Sequence, residues 1–162
     1  MPEKIVFAAP EEVELLPDPI RPHWIIEGAP QARSRRLAQS ADGASMIMAW
    51  SCTAGRFNWH YAVDETLHIT SGEVFVTGDN GEVRRLGPGD MVFFPAGTSS
   101  TWYVPNYVRK LAVCRHAMPR PLGTLLRAYN RLIDLVTGFS AAPAQPLRPS
   151  APGGNDARIA SA

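Results

Sequence analysis

Between Ser45 and His116 apolar and polar residues change places with the two-residue period of half-buried strands. Phe57, Trp59 and Tyr61 alternate with Arg56, Asn58 and His60, after a run Met46-Ile47-Met48-Ala49-Trp50 and a bend at Ala54-Gly55. Glu65-Thr-Leu-His-Ile69 ends at Ser71-Gly72. Glu73 to Thr77 then faces Glu82 to Leu86 across Asp79-Asn80-Gly81, and an Asn-Gly step between alternating runs predicts a hairpin. Gly87-Pro88-Gly89-Asp90 turns into Met91-Val92-Phe93-Phe94, and Pro95-Ala96-Gly97 turns into Thr101-Trp102-Tyr103-Val104. Val108 to Arg115 closes the series. About seven short strands at this spacing predict an all-β sandwich or barrel.

The flanks follow other rules. Trp24-Ile25-Ile26, in a proline-punctuated stretch from Pro17 to Gly28, is a candidate edge strand. Arg33, Arg35 and Arg36 form a basic cluster without interleaved aromatics, which fits a solvated strand face. Leu122, Leu125, Leu126, Tyr129, Leu132, Ile133 and Val136 recur at i, i+3, i+4 and predict an amphipathic helix, with Pro121 at its start and Gly138 past its end. This helix serves as a lid or a dimer contact. From Ser140 to Ala162, 16 of 23 residues are Ala, Pro, Ser or Gly, too little apolar surface to offset the entropy of ordering. The expected organisation is an N-terminal extension with edge strands (1–44), a barrel (45–118), a helix (119–138) and a disordered tail (139–162).

Composition narrows the function classes. With 162 residues the chain can build one core. Its 16 basic and 15 acidic residues leave a net charge of +1, without the basic excess of a nucleic-acid binder. No run of 18 apolar residues suggests a membrane span, and no basic segment leads into an apolar run near Met1. Cys52 and Cys114 are too few for a disulfide scaffold and read as small strand residues. A reduced cytoplasmic protein is expected, without nucleic-acid or membrane partners.

Glu65, six residues and Gly72, then Gly89, five residues and Pro95-Ala96-Gly97, resembles the two motifs of the cupins, small jelly-roll barrels. Trp50-Ser-Cys-Thr-Ala-Gly-Arg-Phe57, Trp59-His-Tyr61, Asp64-Glu65, Gly87-Pro-Gly-Asp90, Phe94-Pro-Ala-Gly97, Trp102 and Val108-Arg-Lys110 resemble, more narrowly, the subfamily named after ureidoglycine aminohydrolase. The resemblance is dense from Trp50 to Leu111. It implies a single cupin jelly-roll barrel and a metal held by two histidines and a glutamate of the first motif and a histidine of the second. This chain departs from that ligand set. Glu65 is present, but Ser100 stands at the second-motif histidine position, and the alternation turns Trp59 and Tyr61 inward and Asn58 and His60 outward. No built-in metal or other cofactor is expected; the alternative is a divalent manganese, zinc, nickel or iron, with His60 and Glu65 the fallback ligands. His68 is expected on the outer face, and His23 and His116 have no clustered partners.

The interior then has an unusual character. Trp50, Trp59, Tyr61 and Trp102 offer flat walls with polar tips, Glu65 a carboxylate and Ser100 a hydroxyl. Lys110 either faces solvent or forms a buried pair with Glu65 where a metal cupin keeps its cation. The first hypothesis is a metal-independent barrel binding a small polar or aromatic molecule through Trp50, Trp59, Tyr61, Glu65, Ser100, Trp102 and Lys110. The second is an aminohydrolase- or isomerase-like enzyme with Glu65 as general base and Tyr61 or Lys110 as acid. The third is a structural dimeric module. A homodimer is expected in any case, because a jelly roll has sheet edges to cover.

Overall fold

The computed structural model of the chain describes residues 5–117 and 120–137. Nine strands follow in order: β1 (Leu16–Pro17), β2 (Ile25–Gly28), β3 (Ala32–Gln39), β4 (Ser45–His60), β5 (Asp64–Gly72), β6 (Val74–Thr77), β7 (Val83–Leu86), β8 (Met91–Phe94) and β9 (Ser99–Arg115). All pairings are antiparallel. The fold is all-β, as the alternation predicts, and a jelly roll, as the resemblance implies, followed among the described residues by the helix α1 (Arg120–Thr137). The chain divides into two compact units, residues 1–118 and 119–162. The expected tail from Ser140 lies outside the described residues.

The short-strand reading needs one correction. Met46–Trp50 and the run from Phe57 to His60 belong to a single 16-residue strand, which ends just before Tyr61, and Thr101–Val104 and Val108–Arg115 belong to a single 17-residue strand. The two pair along their whole length, from Ser45↔Arg115 to His60↔Ser99. Between Thr53↔Tyr107 and Gly55↔Val104 the register slips, so both strands bend together instead of ending. Their Ser45–Thr53 and Tyr107–Arg115 halves join β3, β5 and β8 in one layer; the other halves join β2 and β6–β7 in the second. Turn-forming residues therefore mark the fold between layers.

Alternation survives the bend. Glu65, Leu67 and Ile69 on β5, and Ser100, Trp102, Val104, Val108, Lys110 and Ala112 on β9, are all buried between the layers with Phe57, Val74 and Cys52. Gly72, the glycine of the first motif, ends β5 with a left-handed φ of +73°. A Cβ there would sit 2.0 Å from the Tyr107 carbonyl oxygen, so only glycine lets β5 press against β9 at the bend.

The N-terminal segment is strapped to the outside of the first layer. Arg33, Ser51 and Arg109 form one outward row across β3, β4 and β9. Arg109 donates to the carbonyls of Pro10 and Val13, and Arg33 to that of Leu15. The basic cluster is thus on a strand, as read from sequence, but Arg33 also holds backbone. Trp24, expected in an edge strand, closes a 3-10 turn from Pro22, whose fixed φ favours that turn; β2 starts one residue later and pairs with β4 alone.

Candidate functional site

Two polar clusters lie inside the barrel. Lys110 points inward from the middle of β9, opposite Trp50 on β4 and Ile69 on β5. Its ammonium stands 2.5 Å from Glu65 Oε1, with both side chains at least nine-tenths buried. Two turns of alternation separate Lys110 from the Glu65 row, and the two long side chains lean together across Leu67 and Ala112. The rings of Trp102, Trp50 and Trp59 lie 4.8, 4.9 and 5.8 Å from Nζ, within cation–π range. Between the two sequence alternatives for Lys110, the geometry selects the buried pair.

This cluster borders a cavity of about 120 Å³ that opens toward Asp18 and Ser34. Trp50, Trp59 and Met48 supply apolar wall, and Glu65, Lys110 and Cys114 the polar end. Trp50 Nε1 is buried and is the one such side-chain atom without a hydrogen-bond partner among the described residues. Burial pushes the Cys114 thiol up from 9.0 to about 11; the Glu65 carboxylate adds to this and Lys110 opposes it. A thiol so displaced stays protonated and is a poor nucleophile. Cys52, deeper still, is pushed up to about 12, again chiefly by burial.

The second cluster is closed. Trp102 Nε1 donates to both Tyr61 Oη and Ser100 Oγ at 3.0 Å, and the two hydroxyls share a 2.8 Å bond. Tyr61 also stacks on Phe94, with ring centroids 4.2 Å apart. Burial, opposed by the bonds to Ser100 and Trp102, moves the Tyr61 hydroxyl well above its ordinary range. Of the seven expected binding residues, Trp50, Trp59, Glu65 and Lys110 line the cavity, whereas Tyr61, Ser100 and Trp102 do not. Those three form the wall behind it, and their polar atoms are spent on one another. The hydroxyl of Tyr61, one of the two acids the sequence offered, is bonded within this cluster, and Tyr61 does not line the cavity.

Sequence reasoning missed Asp18, Ser34 and Met48. Met48 shares the inward parity of Trp50 and could have been found from it. Ser34 follows only from the register Ser34↔Trp50, and Asp18 only from the course of the N-terminal segment. A larger groove of about 620 Å³ lies outside, between that segment and the row Arg33, Ser51, Arg109. Its arginines already bind backbone carbonyls, and it gathers no comparable set of groups.

The residues present do not fit the divalent cation of a metal cupin. The interior offers one carboxylate and one protonated thiol, and the carboxylate is already neutralised by an ammonium. His60, the fallback ligand, is exposed; its Nδ1 bonds Ser99 Oγ at 2.7 Å and its ring meets Trp24. Among the described residues no three His, Cys, Asp or Glu side chains gather to hold a metal.

Residues 39–112 match the EutQ-like cupin domain. A protein of unknown function from Pseudomonas syringae pv. tomato is 27% identical over 64% of this chain, with a TM-score of 0.59; the matched region spans 45% of that longer chain. The polyketide cyclase RemF from Streptomyces resistomycificus shares 17% identity over 72% of this chain and 82% of its own, with a TM-score of 0.52. A putative ethanolamine utilization protein Q from Salmonella typhimurium is 27% identical over 54% of this chain and 72% of its own, with a TM-score of 0.48. No curated protein is similar enough to match. With its jelly-roll topology, its motif glycine at the β5 bend and this domain match, the chain belongs to the cupin superfamily.

Proposed function

We propose that this protein is a metal-independent cupin barrel that binds a small molecule, with Lys110 standing where relatives of the metal-binding kind keep their cation. One observation carries the reading: the Lys110 ammonium is paired with Glu65 and boxed by three tryptophan rings beside an open cavity. Desolvating two charges is expensive, and a hydrophobic pair of similar volume would hold the barrel as well or better. Retaining the pair next to empty space fits recognition rather than stability. The four cavity-lining residues Trp50, Trp59, Glu65 and Lys110 are the binding set.

The finer resemblance to the ureidoglycine aminohydrolase subfamily supports the enzyme alternative in a reduced form. Glu65 and Lys110 are then the general base and acid, without Tyr61. Among the described residues no helix is long and apolar enough to cross a membrane. The homodimer and the cytoplasmic location stay part of the proposal. Elemental analysis of chelator-free protein tests the central point. We expect less than about 0.1 equivalent of any transition metal, since two to four converging ligands are needed to retain one. Stoichiometric metal lost on Glu65→Gln would overturn the reading.

A further inference from the structure

The cavity presents hydrogen-bonding groups that the protein itself leaves unused. Lys110 carries three N–H donors and spends one on Glu65. Glu65 receives that bond on Oε1, and among the described residues it has no second partner. Trp50, which lines the cavity, holds its indole N–H buried and without an acceptor. The indole nitrogen itself is fully buried, so the Trp50 ring forms wall, and the hydrogen-bonding groups open to the cavity are those of Lys110 and Glu65. Donors and an acceptor therefore lie side by side at the polar end, with Met48 and Trp59 as apolar wall.

Charge narrows the class. Lys110 and Glu65 cancel, and Asp18 at the mouth leaves the lining net negative, which disfavours an anion. A small cation would have to share the tryptophan rings with the Lys110 ammonium already among them. An uncharged group with an acceptor oxygen beside an N–H donor meets neither obstacle. The 120 Å³ of space corresponds to about four waters. We propose that the cavity binds a short-chain primary carboxamide, its carbonyl oxygen accepting from Lys110 and its amide N–H donating to Glu65. This rests on the metal-independent binding reading and gives that site its ligand class.

Propionamide, propionate and propylammonium, nearly equal in size but different in charge, test the proposal by calorimetry on the full chain. Propionamide is expected to bind with a Kd of about 1 mM, well inside the ceiling for a ligand this small. The two ions should bind at least about 10-fold more weakly. Indole N–H resonances of the unmodified protein give a readout that needs no variant to fold: those of Trp50 and Trp59, whose rings line the cavity, should move on titration with propionamide. Unmoved Trp50 and Trp59 resonances at saturation would overturn the assignment. So would saturable propionate or propylammonium binding that is as tight and is lost in Lys110→Met; that outcome leaves the binding barrel standing and replaces its ligand class. No heat from any of the three up to about 50 mM would overturn the carboxamide proposal, whereas bound stoichiometric metal would overturn the barrel reading beneath it.

Discussion

The two polar clusters inside the barrel share Trp102 as a wall yet are built on opposite principles. In the closed one, Tyr61, Ser100 and Trp102 use their three polar side-chain groups on each other, carry no charge and do not line the cavity. In the open one, a full positive and a full negative charge are buried side by side, and a neighbouring indole N–H goes without an acceptor. A satisfied network fixes a single packing, whereas a partly satisfied one loses free energy that only a partner from outside can return. The contrast assigns structure to the first and recognition to the second, although both were drawn from the same alternating strands.

The strongest way to break that contrast is to remove one charge. Lys110→Met should lower stability by about 3–5 kcal/mol, because Glu65 would be left buried and unpaired. The double variant Glu65→Leu/Lys110→Met should cost far less, and denaturant melts of both should show large coupling. Near-zero coupling would put the pair outside the barrel's energetics. Ser100→Ala comes next, at about 1 kcal/mol, since Tyr61 and Trp102 retain their direct bond to each other. It should leave ligand binding unchanged; a loss of binding there would merge the two clusters into one site.

His60→Ala should change stability by no more than about 0.5 kcal/mol and should not alter metal content, as befits an exposed residue. The mildest test is alkaline. Folding raises the thiols of Cys114 and Cys52 to about 11 and about 12 from 9.0, so the folded chain holds protons that the unfolded one releases. Their contribution is fully present below pH 9.0 and is lost as pH rises through the folded values. Stability measured from pH 8 to 10.5 should therefore decline, and Cys114→Ala should flatten part of the slope.

The barrel was legible because its signal is local: alternation, Asn-Gly and Gly-Asp turns, and a motif glycine each constrain a few neighbouring residues. The inward turn of Trp50, Trp59 and Glu65 followed from parity, and so did the outward turn of His60; for Lys110 the sequence left solvent and interior both open. Two things escaped. Turn-formers at Ala54-Gly55 and Pro105-Asn106 read as strand ends, since only the facing strand shows that both bend at one slip of register. Parity also placed Tyr61, Ser100 and Trp102 inside without revealing that they would bond one another instead of facing the space. Which inward side chains are left over is a property of packing in three dimensions, and no spacing along the chain encodes it.

The long β4–β9 ladder has a kinetic side as well. Its nearest pair, His60 and Ser99, is separated by 39 residues, and every other rung by more. The β6–β7 hairpin can close in about 1–10 μs, but a ladder this far from local must first meet the entropy of closing its loop. Barrels dominated by such pairings fold in roughly milliseconds to seconds. Trp50 and Lys110 lie on that ladder, so the walls of the cavity come together late, and the chain acquires its binding site only when its slowest encounter is complete.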